Sequence, residues 1–179
     1  MTMKSIKKAA GVLILLATMM CHTAYANEMS WEAVSDHHTE SILLAEDSID
    51  STDTINNIAR GIRLSTAMLT ISNEENGSLH ISVNTLAHKS VDSIYQTVFL
   101  DEWNEEKESW VQIGKWDFER TKEEEEDGEL TSYHVGFFVD NCVVNRYYRA
   151  RAMHLVEWGD EAEAKVTQTN GVLLTDHEV

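Results

Sequence analysis

The chain predicts an all-β fold, an antiparallel two-sheet sandwich of about seven strands. Three observations carry this. Beyond residue 61, stretches rich in Val, Ile, Thr, Tyr and Phe are separated by Gly, Asn, Asp and Glu clusters at spacings of roughly 10 to 16 residues. No apolar repeat of about 3.6 residues is sustained over the length of a helix. Asn76-Gly77 and Gly159-Asp160 stand between apolar runs, where tight turns join antiparallel strands.

The first 26 residues are read apart from this domain. Lys4, Lys7 and Lys8 precede the apolar run Ala9 to Met20, and Ala24-Tyr25-Ala26 places small residues where signal peptidase cleaves. The run is well short of the ~20 residues that span a bilayer, and Met20 is too bulky for lipoprotein processing at Cys21. A secreted product is expected, extracellular or in the cell envelope, with no membrane insertion after cleavage. Cleavage removes three Lys and no acid, leaving 11 basic against 31 acidic side chains and a net charge of -20. Such a field repels phosphate backbones and anionic bilayers, which argues against nucleic-acid or membrane-surface partners. Cleavage also removes Cys21, so Cys142 has no partner for an internal disulfide and reads as a small, partly buried hydrophobe.

Residues 27–60 carry eight acids and one base, and they read as a flexible acidic leader with one short helix near Thr39 to Asp47. The β-sandwich domain then occupies 61–179. Its first strand, Ile62 to Ser72, ends in a hairpin at Asn76-Gly77. In the next, Leu79, Ile81 and Val83 alternate with His80, Ser82 and Asn84. A third strand from Val91 to Trp103 carries bulk on both faces. A fourth, Trp110 to Glu119, places Trp110, Gln112, Gly114, Trp116 and Phe118 on one side by simple alternation. Glu123 to Asp127 forms a solvated loop. In the fifth strand, Leu130 to Val139, Tyr133, Val135, Phe137 and Val139 face inward. The sixth, Arg146 to Trp158, turns Tyr148, Ala150, Ala152, His154 and Val156 to one side and Arg149 and Arg151 to the other. The last, Ala162 to Leu174, is broken or bulged at Asn170-Gly171. A closed barrel is the alternative architecture.

The run Tyr147-Tyr148-Arg149-Ala150-Arg151-Ala152 is similar to the penultimate strand of fibronectin type III domains, which implies an immunoglobulin-like topology. More widely, Gly61-Ile62-Arg63-Leu64-Ser65-Thr66-Ala67, Trp110-Val111-Gln112-Ile113-Gly114, Tyr147 to Arg151 and Thr169-Asn170-Gly171-Val172-Leu173 resemble, in this order, a family of small exported proteins of Gram-positive bacteria with no assigned activity. That resemblance covers about residues 60 to 174. It implies export and one β domain, and it carries over no catalytic residue.

Motifs for chemistry are sparse. Beyond residue 26 there is no G-x-S-x-G, H-E-x-x-H or S-x-x-K, so no enzyme and no cofactor is expected. No metal site is expected either. His37-His38 is an adjacent pair without spaced partners, His80, His88, His134 and His154 lack ligand spacing, and a contiguous Glu block does not surround Ca²⁺. His154, on an apolar face, needs a hydrogen-bond partner if buried. Trp103, Trp110 and Trp116, in adjacent strands, are the candidate ligand-binding residues if they share an exposed surface, although aromatic side chains more often fill a core. The functional expectation is a non-enzymatic binding or adhesion-like module for an extracellular protein or carbohydrate. The alternative is a structural, envelope-associated acidic protein that binds cations weakly or nothing.

Overall fold

The computed structural model describes residues 40–56 and 63–178. The expected signal peptide, His37-His38 and half of the leader, residues 27–39 and 57–60, lie outside them. The described residues form β1 (Asp50–Asn56), β2 (Leu64–Asn73), β3 (Leu79–Val91), β4 (Ser93–Asn104), β5 (Ser109–Thr121), β6 (Leu130–Val139), β7 (Tyr147–Trp158), β8 (Glu161–Gln168) and β9 (Val172–Leu173), with one 3-10 turn at Lys122–Glu124. One sheet has the order β1-β2-β3-β6. The other has the order β5-β4-β7-β8, with β9 also paired to β7 beyond the end of β8. Every strand pairing is antiparallel. The expected sandwich is the observed architecture. Strands β8-β7-β4-β5 facing β2-β3-β6 follow the immunoglobulin-like order, G-F-C-C′ against A-B-E, with β1 added at the edge of the second group.

Alternation explains the core. Leu69, Ile71, Leu79, Ile81 and Val83 of the first sheet meet Val98, Leu100, Tyr148, Ala150 and Ala152 of the second, all essentially inaccessible to water. The two alanines keep the facing sheets close at this end. Toward the other end, Leu64, Ala67, Val91, Ile94, Leu130 and Val156 form a second apolar cluster.

The leader differs from expectation. No helix forms over residues 40–47; Leu43 instead makes a parallel bridge to Gly171, and Asp50–Asn56 is strand β1. The strand escapes a hydrophobicity argument because hydrogen bonds to the break between β8 and β9 dock it. The Gln168 N–H donates to Asp53 Oδ2 (2.8 Å) and the Asn170 N–H to Ser51 Oγ (2.9 Å). Just upstream, Ser41 Oγ donates to the Thr169 carbonyl at 2.6 Å and Leu44 N–H to the Gly171 carbonyl at 2.9 Å. Polar leader residues thus satisfy backbone groups that the broken strand leaves unpaired.

Strand β5 also departs from expectation. Leu100 pairs with Gly114 but Asp101 pairs with Gln112, so Ile113 is an extra residue, a β-bulge. The bulge exchanges the faces of the strand. Trp116 and Phe118 point inward with Val98 and Gln96, whereas Trp110 and Gln112 point outward with Trp103 and Asp101. The single face expected for all five residues from Trp110 to Phe118 does not exist.

Candidate functional site

The outer face of the second sheet gathers the charged and aromatic residues that β4, β5 and β7 turn away from the core. Asp101 (β4) lies opposite Arg149 (β7), two positions along from Phe99 opposite Arg151. The Asp101 carboxylate is sealed from water at 2 % side-chain exposure. Its Oδ2 accepts from Arg149 Nε (2.9 Å) and Arg151 Nε (2.7 Å), and its Oδ1 accepts from Arg151 Nη2 (2.9 Å). One carboxylate therefore holds two guanidinium groups, one of them bidentately. Each cation also lies over an aromatic ring, Arg149 over Trp110 at 4.7 Å and Arg151 over Phe99 at 4.9 Å. Burial lowers the Arg149 pKa most, the Asp101 carboxylate opposes that shift, and neighbouring Arg151 adds to it. Phe99, Met153 and Val166 form a small buried apolar cluster on this same face.

Trp110 is anchored from below by an absent side chain. A Cβ on Gly171 would stand 2.6 Å from the Trp110 ring and 3.2 Å from Leu43, so only glycine lets the indole lie down on the strand break. The Trp110 Nε1–H is buried and has no hydrogen-bond partner among the described residues. Trp103 packs edge-on against Trp110, with ring centroids 5.2 Å apart. Trp103 also lines a cleft of about 300 Å³ at the β4–β5 turn, together with Glu102, Asn104, Glu105, Glu106 and Arg146.

The structure thus unites two of the three predicted residues and separates the third. Trp103 and Trp110 share the outer face. Trp116 lies on the inner side of the same strand, packed against Phe137 at 5.0 Å and against the core, because of the bulge. Asp101, Arg149, Arg151 and Gly171 belong to the same constellation. The outward projection of both arginines was the one sequence signal for it.

Beneath the cleft, Tyr148 closes the corner between β6 and β7. Its hydroxyl accepts the Val143 N–H (2.9 Å) and donates to Glu102 Oε2 (3.0 Å), with the Val143 carbonyl also at 3.0 Å. A tyrosine at the start of this strand bonded back to the chain five residues upstream is the tyrosine corner of immunoglobulin-like domains. Burial and the Glu102 carboxylate both raise its pKa, so the phenol stays protonated. Tyr148→Phe strips the Val143 N–H and Glu102 of this partner and is expected to cost about 1.5 kcal/mol. The check is a lower denaturation midpoint at unchanged m-value. Nearby Cys142 is half-buried. Burial first, then Glu102 and Asp140, push its pKa up, which keeps it a thiol with little nucleophilic character.

The remaining histidines and acids are also placed. His154 is buried within a polar layer of the core. His80 and His134 lie on the outer face of the first sheet, opposite Phe138 and Asn84 respectively, and His88 is exposed. In the acidic loop, Glu124 Oε2 accepts the Thr121 N–H at 2.8 Å, which lowers the Glu124 pKa, and Glu125 pairs with Arg120 at 2.8 Å. Asp127 Oδ1 accepts the Glu129 N–H at 3.0 Å. Three of the loop's carboxylates thus order their own turn. Among the described residues no group of three or more His, Cys, Asp or Glu is arranged to hold a metal ion.

Comparison with known proteins places the chain by its sequence. A family described as a family of unknown function matches residues 25–172. The chain belongs to DUF6147. The match takes in the leader as well as the sandwich, further toward the N-terminus than the resemblance from about residue 60 implied. It agrees with a fold in which residues 40–56 are docked rather than appended. No curated protein matches the chain.

Proposed function

We propose that this DUF6147 protein is a secreted, non-enzymatic binding module that takes a cationic group of an extracellular partner protein against Trp103. The observation that supports it is the cleft itself. Trp103 borders about 300 Å³ of open space rimmed by Glu102, Glu105 and Glu106 against the single base Arg146. An indole face together with carboxylates suits a lysine or arginine side chain through cation–π and ionic attraction. Arg146 is held only loosely, 3.8 Å from a largely exposed Glu105, so an incoming cation competes with a weak pair. The net charge of -17 over the whole sequence draws basic partners toward the surface. Trp110, clamped between Arg149 and Gly171, is the platform that orients Trp103 and is not itself the contact.

Two measurements test this. Acrylamide is expected to quench a Trp component that disappears in Trp103→Phe; protection of every tryptophan from the quencher overturns the assignment. A lysine-rich oligopeptide is expected to bind with an affinity that falls at least tenfold in Trp103→Ala and in the double variant Glu105→Gln/Glu106→Gln, and that weakens with salt. Equal binding by all three proteins overturns it.

A further inference from the structure

We infer that His80 and His134 form a two-imidazole site for a divalent transition-metal ion on the outer face of the first sheet. Strands β3 and β6 pair Ser82 with Gly136, and the two histidines flank that pair diagonally, His80 opposite Phe138 and His134 opposite Asn84. Side chains two residues apart on a strand share a face, so both imidazoles stand on the outer surface.

Their ring tips converge. Nε2 of His80 lies 3.2 Å, and Nε2 of His134 3.7 Å, from the position a Cβ would take on Gly136. Glycine leaves vacant the one place on this face at which both nitrogens point. Any side chain at residue 136 would fill it. His80 is further oriented by Phe138, whose ring centroid is 4.8 Å from its own, and Phe138 is 63 % exposed, leaving the site open to solvent.

Metal–imidazole bonds are about 2.0–2.1 Å long, so small rotamer changes of the half-buried His80 and the exposed His134 bring both Nε2 atoms onto one ion. Imidazole donors suit Cu²⁺, Ni²⁺ and Zn²⁺, with Cu²⁺ the tightest in the general order of stability. Among the described residues no carboxylate or thiol is arranged with them as a third ligand, so water completes the coordination. The site is adjacent to neither the Trp103 cleft nor Cys142 in the fold and is independent of the binding function proposed above. The strongly acidic surface raises the local concentration of cations around it.

The test uses the full, untagged chain and CuCl₂ at substoichiometric ratios, followed by amide NMR. Paramagnetic broadening is expected to centre on Ser82, Gly136 and their neighbours. With NiCl₂, calorimetric affinity is expected to fall at least tenfold in His80→Ala and in His134→Ala, and also in Gly136→Ala, whose methyl group displaces His80. The double variant His37→Ala/His38→Ala is expected to bind as the parent does. Broadening centred on His37-His38 or on Asp176-His177, or Ni²⁺ binding unchanged in His80→Ala, overturns the proposal. Because the copper experiment is made on the parent protein, it locates the site even if a variant folds poorly.

Discussion

Asp101→Ala is expected to destabilise the domain by about 3–5 kcal/mol. A native domain is stable by only about 5–15 kcal/mol in total, and at this size the loss lowers the melting temperature by about 10 °C or more. The cost does not measure the strength of the ion pairs. Arg149 and Arg151 keep 10 % and 12 % side-chain exposure respectively, and with Asp101 gone two adjacent guanidinium groups repel each other with no buried counter-charge. Arg149 retains Ser41 Oγ at 3.2 Å and the distant Glu40 carboxylate at 3.9 Å, the latter 91 % exposed and therefore well screened. The comparison that isolates the mechanism is Asp101→Ala against Asp101→Ala/Arg149→Met/Arg151→Met. If stranded charge is the cause, the triple variant recovers most of the lost stability, because apolar side chains of similar length remove the charges and keep the packing over Trp110 and Phe99. A triple variant as unstable as the single one would show that hydrogen-bond geometry matters more here than charge. Arg151→Lys is a milder probe. It keeps the charge and gives up the bidentate fork on Asp101, so its loss should lie well below that of Asp101→Ala.

That constellation also marks how far the sequence could be read. Alternation along β7 located Tyr148, Ala150, Ala152, His154 and Val156 on the core side and the two arginines outside, because a strand buried on one face carries its register in its own side chains. Alternation failed on β5 for a local reason. Val111-Gln112-Ile113-Gly114 contains nothing that betrays an extra residue, and the bulge is fixed by the partner strand, where Leu100 and Asp101 demand opposite faces. The error passed directly into the site, since it assigned Trp116 to the surface of Trp103 and Trp110. Strand β1 was illegible for a different reason. DSTDTIN offers almost no apolar surface; besides its backbone ladder to β2, it is held by Ser51 and Asp53 receiving N–H groups from residues 170 and 168, more than a hundred positions away. Hydrogen bonds between distant polar residues leave no periodic trace. The same holds for the acceptance of Val143 by Tyr148, where the tyrosine was legible as a core residue and its corner was not.

The buried polar layer shows what one correctly read residue conceals, and it governs how the protein responds to acid. His154 is fully buried, its Nδ1 2.8 Å from Thr85 Oγ1 and its Nε2 2.9 Å from Thr167 Oγ1. Gln96 Nε2 donates to Thr85 Oγ1 and to the Tyr133 carbonyl, both at 2.9 Å. Thr85 therefore donates its O–H to Nδ1, and the chain of donors closes with the neutral Nε2–H tautomer donating to Thr167. This layer separates the two apolar clusters: Val83, Val98 and Ala152 lie on one side of it, Ile94 and Val156 on the other. A second proton on the imidazole would break that donor order and put a charge at the centre of the sandwich. Burial accordingly lowers the His154 pKa from 6.5 to about 3. The unfolded chain binds this proton below pH 6.5 and the folded chain does not, so the contribution is complete above 6.5 and declines as the pH falls. The expected slope is about 1.4 kcal/mol per pH unit, accumulating to roughly 4 kcal/mol by the time the folded protein itself titrates. Carboxylates add their own dependence in acid, so the quantity to measure is the difference between the parent and His154→Gln, which lacks the titrating ring. Denaturant unfolding from pH 7 to pH 4 should find the parent losing its advantage steadily below about pH 6.5. Parallel curves over that range, or a His154 ring whose NMR shifts titrate near 6.5 in the native state, would show that the layer accommodates the charge and that the tautomer assignment fails.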